Sequence, residues 1–283
     1  MSMRRIPTLS AALLAAAMIL AGTGCSYLKS RDHLNQGIAS YRNAKYSDAV
    51  DHFEQAIKLD PGWSTPRLYL ATSYMVQWIP GAESPENLGF AQKAKEEFLK
   101  VLDKEPNDQT ALAYLASLAF NQALSLPLDQ KLKMFDEAAK WQHRRIEVDP
   151  KEKEAYYTLG VIAYQKWIPA LMTARSNLRM RPEDPGPLKD KKVKEELKGQ
   201  YSGIVDEGMQ DLNKALEIDP EYDDAMAYLN ILTRERADLL DSQDEYKKQV
   251  EIADGWLQKA LDTKKIKAAR AAKQPTGIHT DSN

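Results

Sequence analysis

SRDHLNQGIASYRNAKYSDAVDHFEQAIKLDP, residues 30–61, decides the fold. Its apolar and small residues recur three and four apart, the period of a helix with one buried face. The stretch ends on Leu59-Asp60-Pro61, and the same acidic-proline stop returns at Lys104-Glu105-Pro106, Val148-Asp149-Pro150 and Ile218-Asp219-Pro220. Proline lacks an N–H and pushes its predecessor out of the helical region, so a proline recurring at one phase means one helix-turn-helix unit reused. The expected fold class is therefore all-α.

The first unit carries Gly37, Tyr41, Ala44, Tyr46, Ala49, Phe53, Ala56 and Pro61. This pattern resembles a tetratricopeptide repeat, in which Gly37 and Ala49 are small where two antiparallel helices cross and Phe53 fills the gap to the next unit. The register returns as Leu70-Ala71 with Ala94 and Phe98, Leu115-Ala116 with Ala138, Leu159-Gly160 with Gly208, Leu212 and Ala215, and Leu229-Asn230 with Ala253, Leu257 and Ala260. In the third unit Gln142 and Arg145 stand where apolar residues are expected, which puts the packing of that second helix in question. The resemblance implies an α-α superhelix of about five repeats: 30–61, 62–106, 107–150, 151–220 and 221–265. Stacked repeats of this kind make one continuous domain.

The prolines lie 45, 44 and 70 residues apart, against about 34 for a standard unit. The first two excesses are close to three helical turns, so helices lengthen without losing the phase of their inner face. Ser84-Pro85-Glu86 reads as a cap, a first-turn proline and a first-turn acid that start the second helix of repeat two. Ser242 with Glu245 forms a capping box in repeat five. Repeat four holds an insertion at about 167–203, broken by Arg181-Pro182-Glu183-Asp184-Pro185-Gly186-Pro187, and is expected to protrude as a hairpin, either a solvated arm or a docking arm. Trp78-Ile79-Pro80 and Trp167-Ile168-Pro169 recur seven residues after the crossing residue of repeats two and four. They read as proline stops, whose Trp78 and Trp167 either form a docking edge or pack under the lengthened second helix.

In solenoids of this family the first helices line a concave face. The resemblance places there Leu34, Ile38, Tyr41, Met75, Phe120, Tyr157, Val161, Tyr164 and Arg234, an apolar and aromatic lining suited to a peptide or helix with hydrophobic anchors, unless these side chains pack on one another. The expected function is a protein–protein interaction scaffold, an adaptor in envelope assembly or a regulatory accessory of an envelope hydrolase or peptidoglycan factor.

The first 24 residues read as an export signal, with Arg4 and Arg5 before an apolar run from Leu9 to Ala21. Ala21-Gly22-Thr23-Gly24-Cys25-Ser26 resembles a bacterial lipobox. It implies lipidation of Cys25, with Ser26 pointing to the outer membrane, facing the periplasm, and residues 25–29 as a short tether. Cys25 is the one cysteine of 283 residues, so no internal disulfide can form. Removing 24 residues and two basic side chains takes the net charge from −2 to −4. That balance and an exported address speak against nucleic acid as a partner.

No phosphate-binding glycine loop, zinc-protease pair or nucleophile elbow is present. No catalytic residue, cofactor or metal site is expected, with His33 and His52 placed facing solvent on neighbouring helices. Residues 266–283 read as a basic cap, or a contact for anionic lipid, followed by a disordered tail.

Overall fold

A computed structural model describes residues 26–273, and every element among them is helical. The helices are α1 (26–42), α2 (Tyr46–Leu59), α3 (Ser64–Gln77), α4 (Pro85–Leu102), α5 (Gln109–Leu124), α6 (Leu128–Val148), α7 (Lys153–Asn177), α8 (Lys191–Ile218), α9 (Asp223–Arg236) and α10 (Gln243–Lys273). They form two compact units, one up to Met134 and one from Phe135, so the boundary falls inside α6 where one continuous array was expected. Cys25 and the signal segment lie outside the described residues.

Each ladder proline sits just past a helix end, and three residues beyond it the next helix starts, at Ser64, Gln109, Lys153 and Asp223. Side chains close several of the starts. The Ser84 hydroxyl accepts from Asn87 N at 3.2 Å, Asp108 from Ala111 N at 2.7 Å, and Asp190 from Val193 N at 2.9 Å. Ser242 and Glu245 bond reciprocally, the backbone N of each donating to the other's side chain at 3.3 and 3.2 Å. Such caps satisfy orphan donors of the first turn, each worth about 1 kcal/mol.

In the first unit α1 crosses α2 at Gly37, where a Cβ would stand 2.5 Å from Phe53 Cε1. Phe53 stacks on Tyr69 of α3 with centroids 5.5 Å apart, and Phe98 of α4 stacks on Tyr114 of α5 at 5.1 Å. The aromatic at the end of one pair thus fills the gap to the next. Residues 26–29, expected as a free tether, are already helical. Arg31 lies 4.7 Å from the Tyr27 ring and 3.7 Å from the Trp63 ring, which ties that first turn to the start of α3.

The second unit is built on the long pair α7 and α8. Trp167, Leu171, Leu188, Val205, Leu212, Leu229 and Leu232 are fully buried in its core. Gly160 lies against Leu212, and Gly208 against the Cβ of Ala163. Gln142 of α6 is buried and accepts from Arg145 Nη1 at 2.9 Å, and Arg145 reaches Glu152 at 3.3 Å. The two misplaced residues of repeat three therefore form a polar link and their helix persists.

Two expectations fail here. Trp78-Ile79-Pro80 does end α3, but α7 runs through Pro169 to Asn177. An internal proline costs about 3 kcal/mol, and full burial of Trp167 before it and Leu171 after it supplies about 1.5–3 kcal/mol each. The repeat-four insertion does not protrude. Arg175, buried, pairs with buried Asp238 and donates to the carbonyls of Arg181 and Pro182 at 3.0 and 3.3 Å. Leu188 N donates to Asp238 O at 2.9 Å, and Lys194 Nζ to Leu240 O at 2.9 Å. The proline-rich loop is folded down onto the α9–α10 connection.

Candidate protein-binding face

The first helices of the second unit carry a cluster of tyrosines. Tyr157 and Tyr164 lie two turns apart on α7 and flank Tyr228 of α9, with centroid distances of 5.6 and 5.8 Å and edge-on rings. Tyr222, just before α9, closes on Tyr157 at 5.1 Å. All four are half-buried. Edge-to-face packing fixes the rings while the side chains remain partly open to solvent.

The surroundings are acidic. Burial, with Tyr228 and Asp224 nearby, pushes the Tyr157 hydroxyl up to about 12. Burial and Glu235 raise that of Tyr164, and burial and Asp224 that of Tyr228. These tyrosines stay neutral at physiological pH, and each is a fixed aromatic plate with a polar edge beside carboxylates. Lys153 approaches Tyr222 to 5.1 Å but is already held by Asp219 at 2.6 Å.

The other expected lining residues divide. Ile38, Tyr41, Met75 and Phe120 are half-buried. Tyr41 meets Tyr46 edge-on at 5.5 Å, and burial together with Tyr114, Tyr46 and Tyr69 raises its hydroxyl. Met75 packs on the small cluster of Trp78, Ala91 and Leu118. Leu34 and Val161 are not surface lining: they are 7% and 6% exposed and belong to the core. Arg234 turns away to α10, where it pairs with Asp254.

The tryptophans make no exposed edge. Trp167 is wholly inside the second unit, 5.4 Å from the Tyr201 ring. Trp78 is buried as well, and it floors a cavity of about 510 Å³ with Ala82, Leu88, Gln122, Leu126 and Met134. Asn87 shapes its rim by accepting from Ile79 N at 2.7 Å and donating to Ile79 O and Ala82 O, both at 2.8 Å. Ile79, Leu88, Leu124 and Leu128 are exposed at the helix ends of this first unit.

Tyr228 and Tyr222 are not among the lining residues that the repeat resemblance gives. A signal was present: Tyr69, Tyr114 and Tyr228 each stand two residues before the crossing residue of their repeat. The first two stack on Phe53 and Phe98. Tyr228 takes Tyr157 and Tyr164 as its partners. Among the described residues no three His, Cys, Asp or Glu gather as a metal site, and no helix is long and apolar enough to cross a membrane.

Residues 30–63 match the tetratricopeptide repeat family. No curated protein sequence matches the chain. Among solved structures, a MamA double mutant of RS-1 superposes with a TM-score of 0.54 at 16% identity, covering 85% of this chain and 97% of that one. MamA 41-end from Desulfovibrio magneticus RS-1 gives 0.52 at 16%, covering 84% and 96%. A crystal structure of MamA protein gives 0.50 at 16%, covering 85% and 94%. At that identity the likeness is one of fold, an all-α superhelix of helical repeats, and together with the matched repeat it supports a tetratricopeptide-repeat protein.

Proposed function

We propose that this chain is a lipid-anchored interaction scaffold of the bacterial cell envelope and that α7 and α9 receive a protein partner. The observation that carries the reading is the cluster of Tyr157, Tyr164 and Tyr228, three half-buried rings held edge-to-face beside Asp224 and Glu235. Pre-fixed aromatic plates lose little side-chain entropy on binding and dominate interface energy. The carboxylates favour a segment with apolar anchors and basic residues.

The anchor rests on the sequence around Cys25 and on its resemblance to a lipobox. Because the chain is helical from residue 26, a lipid on Cys25 would hold α1 against the membrane with almost no slack. The proposed address is the outer membrane, facing the periplasm, with the scaffold working close to the lipid surface as an adaptor in envelope assembly.

Labelling cells with a fatty-acid probe tests the anchor: the wild-type chain takes up label and Cys25→Ala does not. Equal label in both forms removes it. Affinity purification from envelope tests the face. Tyr157→Ala/Tyr164→Ala/Tyr228→Ala loses a partner that the wild type retains, while circular dichroism shows its helices intact. An unchanged set of partners contradicts the assignment.

A further inference from the structure

Among the described residues α10 closes the array, and its outer side keeps the form of a surface that other repeats cover. In the repeat register Leu257 stands where Phe53, Phe98 and Leu212 stand, and Leu261 where Leu102 and Leu216 do. Phe53, Phe98 and Leu212 are fully buried, Leu102 is buried, and Leu216 packs on the core of the second unit. Leu257 and Leu261 are 40% and 45% exposed, with no described helix after α10 to cover them. A terminal repeat ordinarily presents a polar outer face.

The residues around the two leucines say what covers them. Val250, Asp254, Leu257, Leu261, Lys264 and Ala268 are spaced alternately four and three apart, as in the row that faces a partner helix in a coiled coil. Glu251, Gln258 and Lys265 run beside it at intervals of seven. Laid antiparallel against its own copy, this row reads the same from both ends. Leu257 meets Leu261 of the second copy, Asp254 meets its Lys264, Val250 its Ala268 and Glu251 its Lys265, each contact made twice. Gln258 meets itself near the axis. A parallel pair instead sets Asp254 on Asp254 and Lys264 on Lys264, which repels. Glu251, Gln258, Lys264 and Lys265 are exposed, and Asp254, though paired with Arg234, keeps 60% of its side chain open.

We propose that α10 is a self-association surface, on which two copies of this chain pair antiparallel about a two-fold axis near Gln258. Two-fold pairing is the commonest closed arrangement of identical chains, and it buries the same patch on both. With 31 residues, α10 is about 46 Å long, so the whole seam lies within one helix. Its apolar centre is small, and the flanking ion pairs fix the direction.

Purified full chain in detergent solution, treated with a bis-maleimide crosslinker, tests this. Gln258→Cys gives a covalent dimer. Lys259→Cys, at a position whose native side chain lies over the Trp256 ring at 4.5 Å and away from the seam, gives only the background of wild type, whose single cysteine is Cys25. Light scattering on dilution follows the same association without chemistry. Asp254→Lys or Lys264→Asp alone sets like charges opposite each other and weakens it by about tenfold or more. The combined variant Asp254→Lys/Lys264→Asp restores it, and circular dichroism shows the helices intact in every form. A monomeric wild type, an assembly that position 258 crosslinks no better than position 259, or a combined variant no stronger than the single ones overturns the proposal.

Discussion

Gly208 and Ala163 face each other where α8 crosses α7, and both Cβ positions are fixed by backbone. A methyl at 208 has nowhere to go. Gly208→Ala is expected to cost about 1–3 kcal/mol through overpacking, despite the usual gain in helix propensity. Urea denaturation checks this; an unchanged or raised midpoint contradicts the packing. Crossing residues of this kind were legible because a small residue at a fixed distance from a proline stop has a single geometric use.

Asp211 lies one turn from Gly208 and one from Glu207. Burial first, and Glu207 second, push its carboxyl up to about 6. A folded-state value above the unfolded one means the neutral form favours folding: the contribution is full below about 4 and lost as pH rises through about 6. Asp211→Asn is therefore expected to be more stable than wild type at pH 8, the gap shrinking to nothing near pH 4. Thermal unfolding across that range tests it, and a gap that widens toward acid reverses the sign.

At the scale of the element, two prolines in the same motif behave differently. Pro80 follows a helix end secured by Asn87, whereas Pro169 lies inside α7, flanked by fully buried Trp167 and Leu171. Local preference favours a stop in both; burial across the long α7–α8 pair decides the second. That outcome depends on residues some 40 positions away in α8, which the motif itself does not contain. The insertion is held down by equally distant partners, Leu188 of the loop by Asp238 and Lys194 of α8 by Leu240. Arg175 holds it down. Arg175→Ala leaves Asp238 buried without its counter-charge and is expected to destabilise the second unit by about 3–5 kcal/mol. Hydrogen exchange should show amides of 180–190 losing protection while those of α2–α4 keep theirs. Protected amides at 180–190 in the variant would mean the loop is held by something else.

For the molecule as a whole, the helical-repeat class was readable because the proline ladder, the small crossing residues and the lengthened helices all demand it. The tyrosine cluster proposed as a docking face is half readable in the sequence. The repeat register gives Tyr157 and Tyr164; it marks Tyr228 as an equivalent of Tyr69 and Tyr114 but not as their neighbour, since those two stack on Phe53 and Phe98, and Leu34 and Val161 go to the core because helix rotation decides which edge of an apolar stripe reaches the surface. The basic run near the end of α10 has a folded role that composition did not specify: Lys267 pairs with Asp223, and Arg270 reaches Glu221.

The central claim is that a partner docks on the tyrosine cluster of α7 and α9. A photocrosslinking amino acid placed at Tyr164, and separately at Gln210 on the exposed side of α8, measures it most directly in intact cells. The account predicts a discrete crosslinked species from position 164 that disappears when Tyr157 and Tyr228 are replaced by Ala, and none from position 210. Equal crosslinking from both positions, or a species at 164 that survives those replacements, would contradict it.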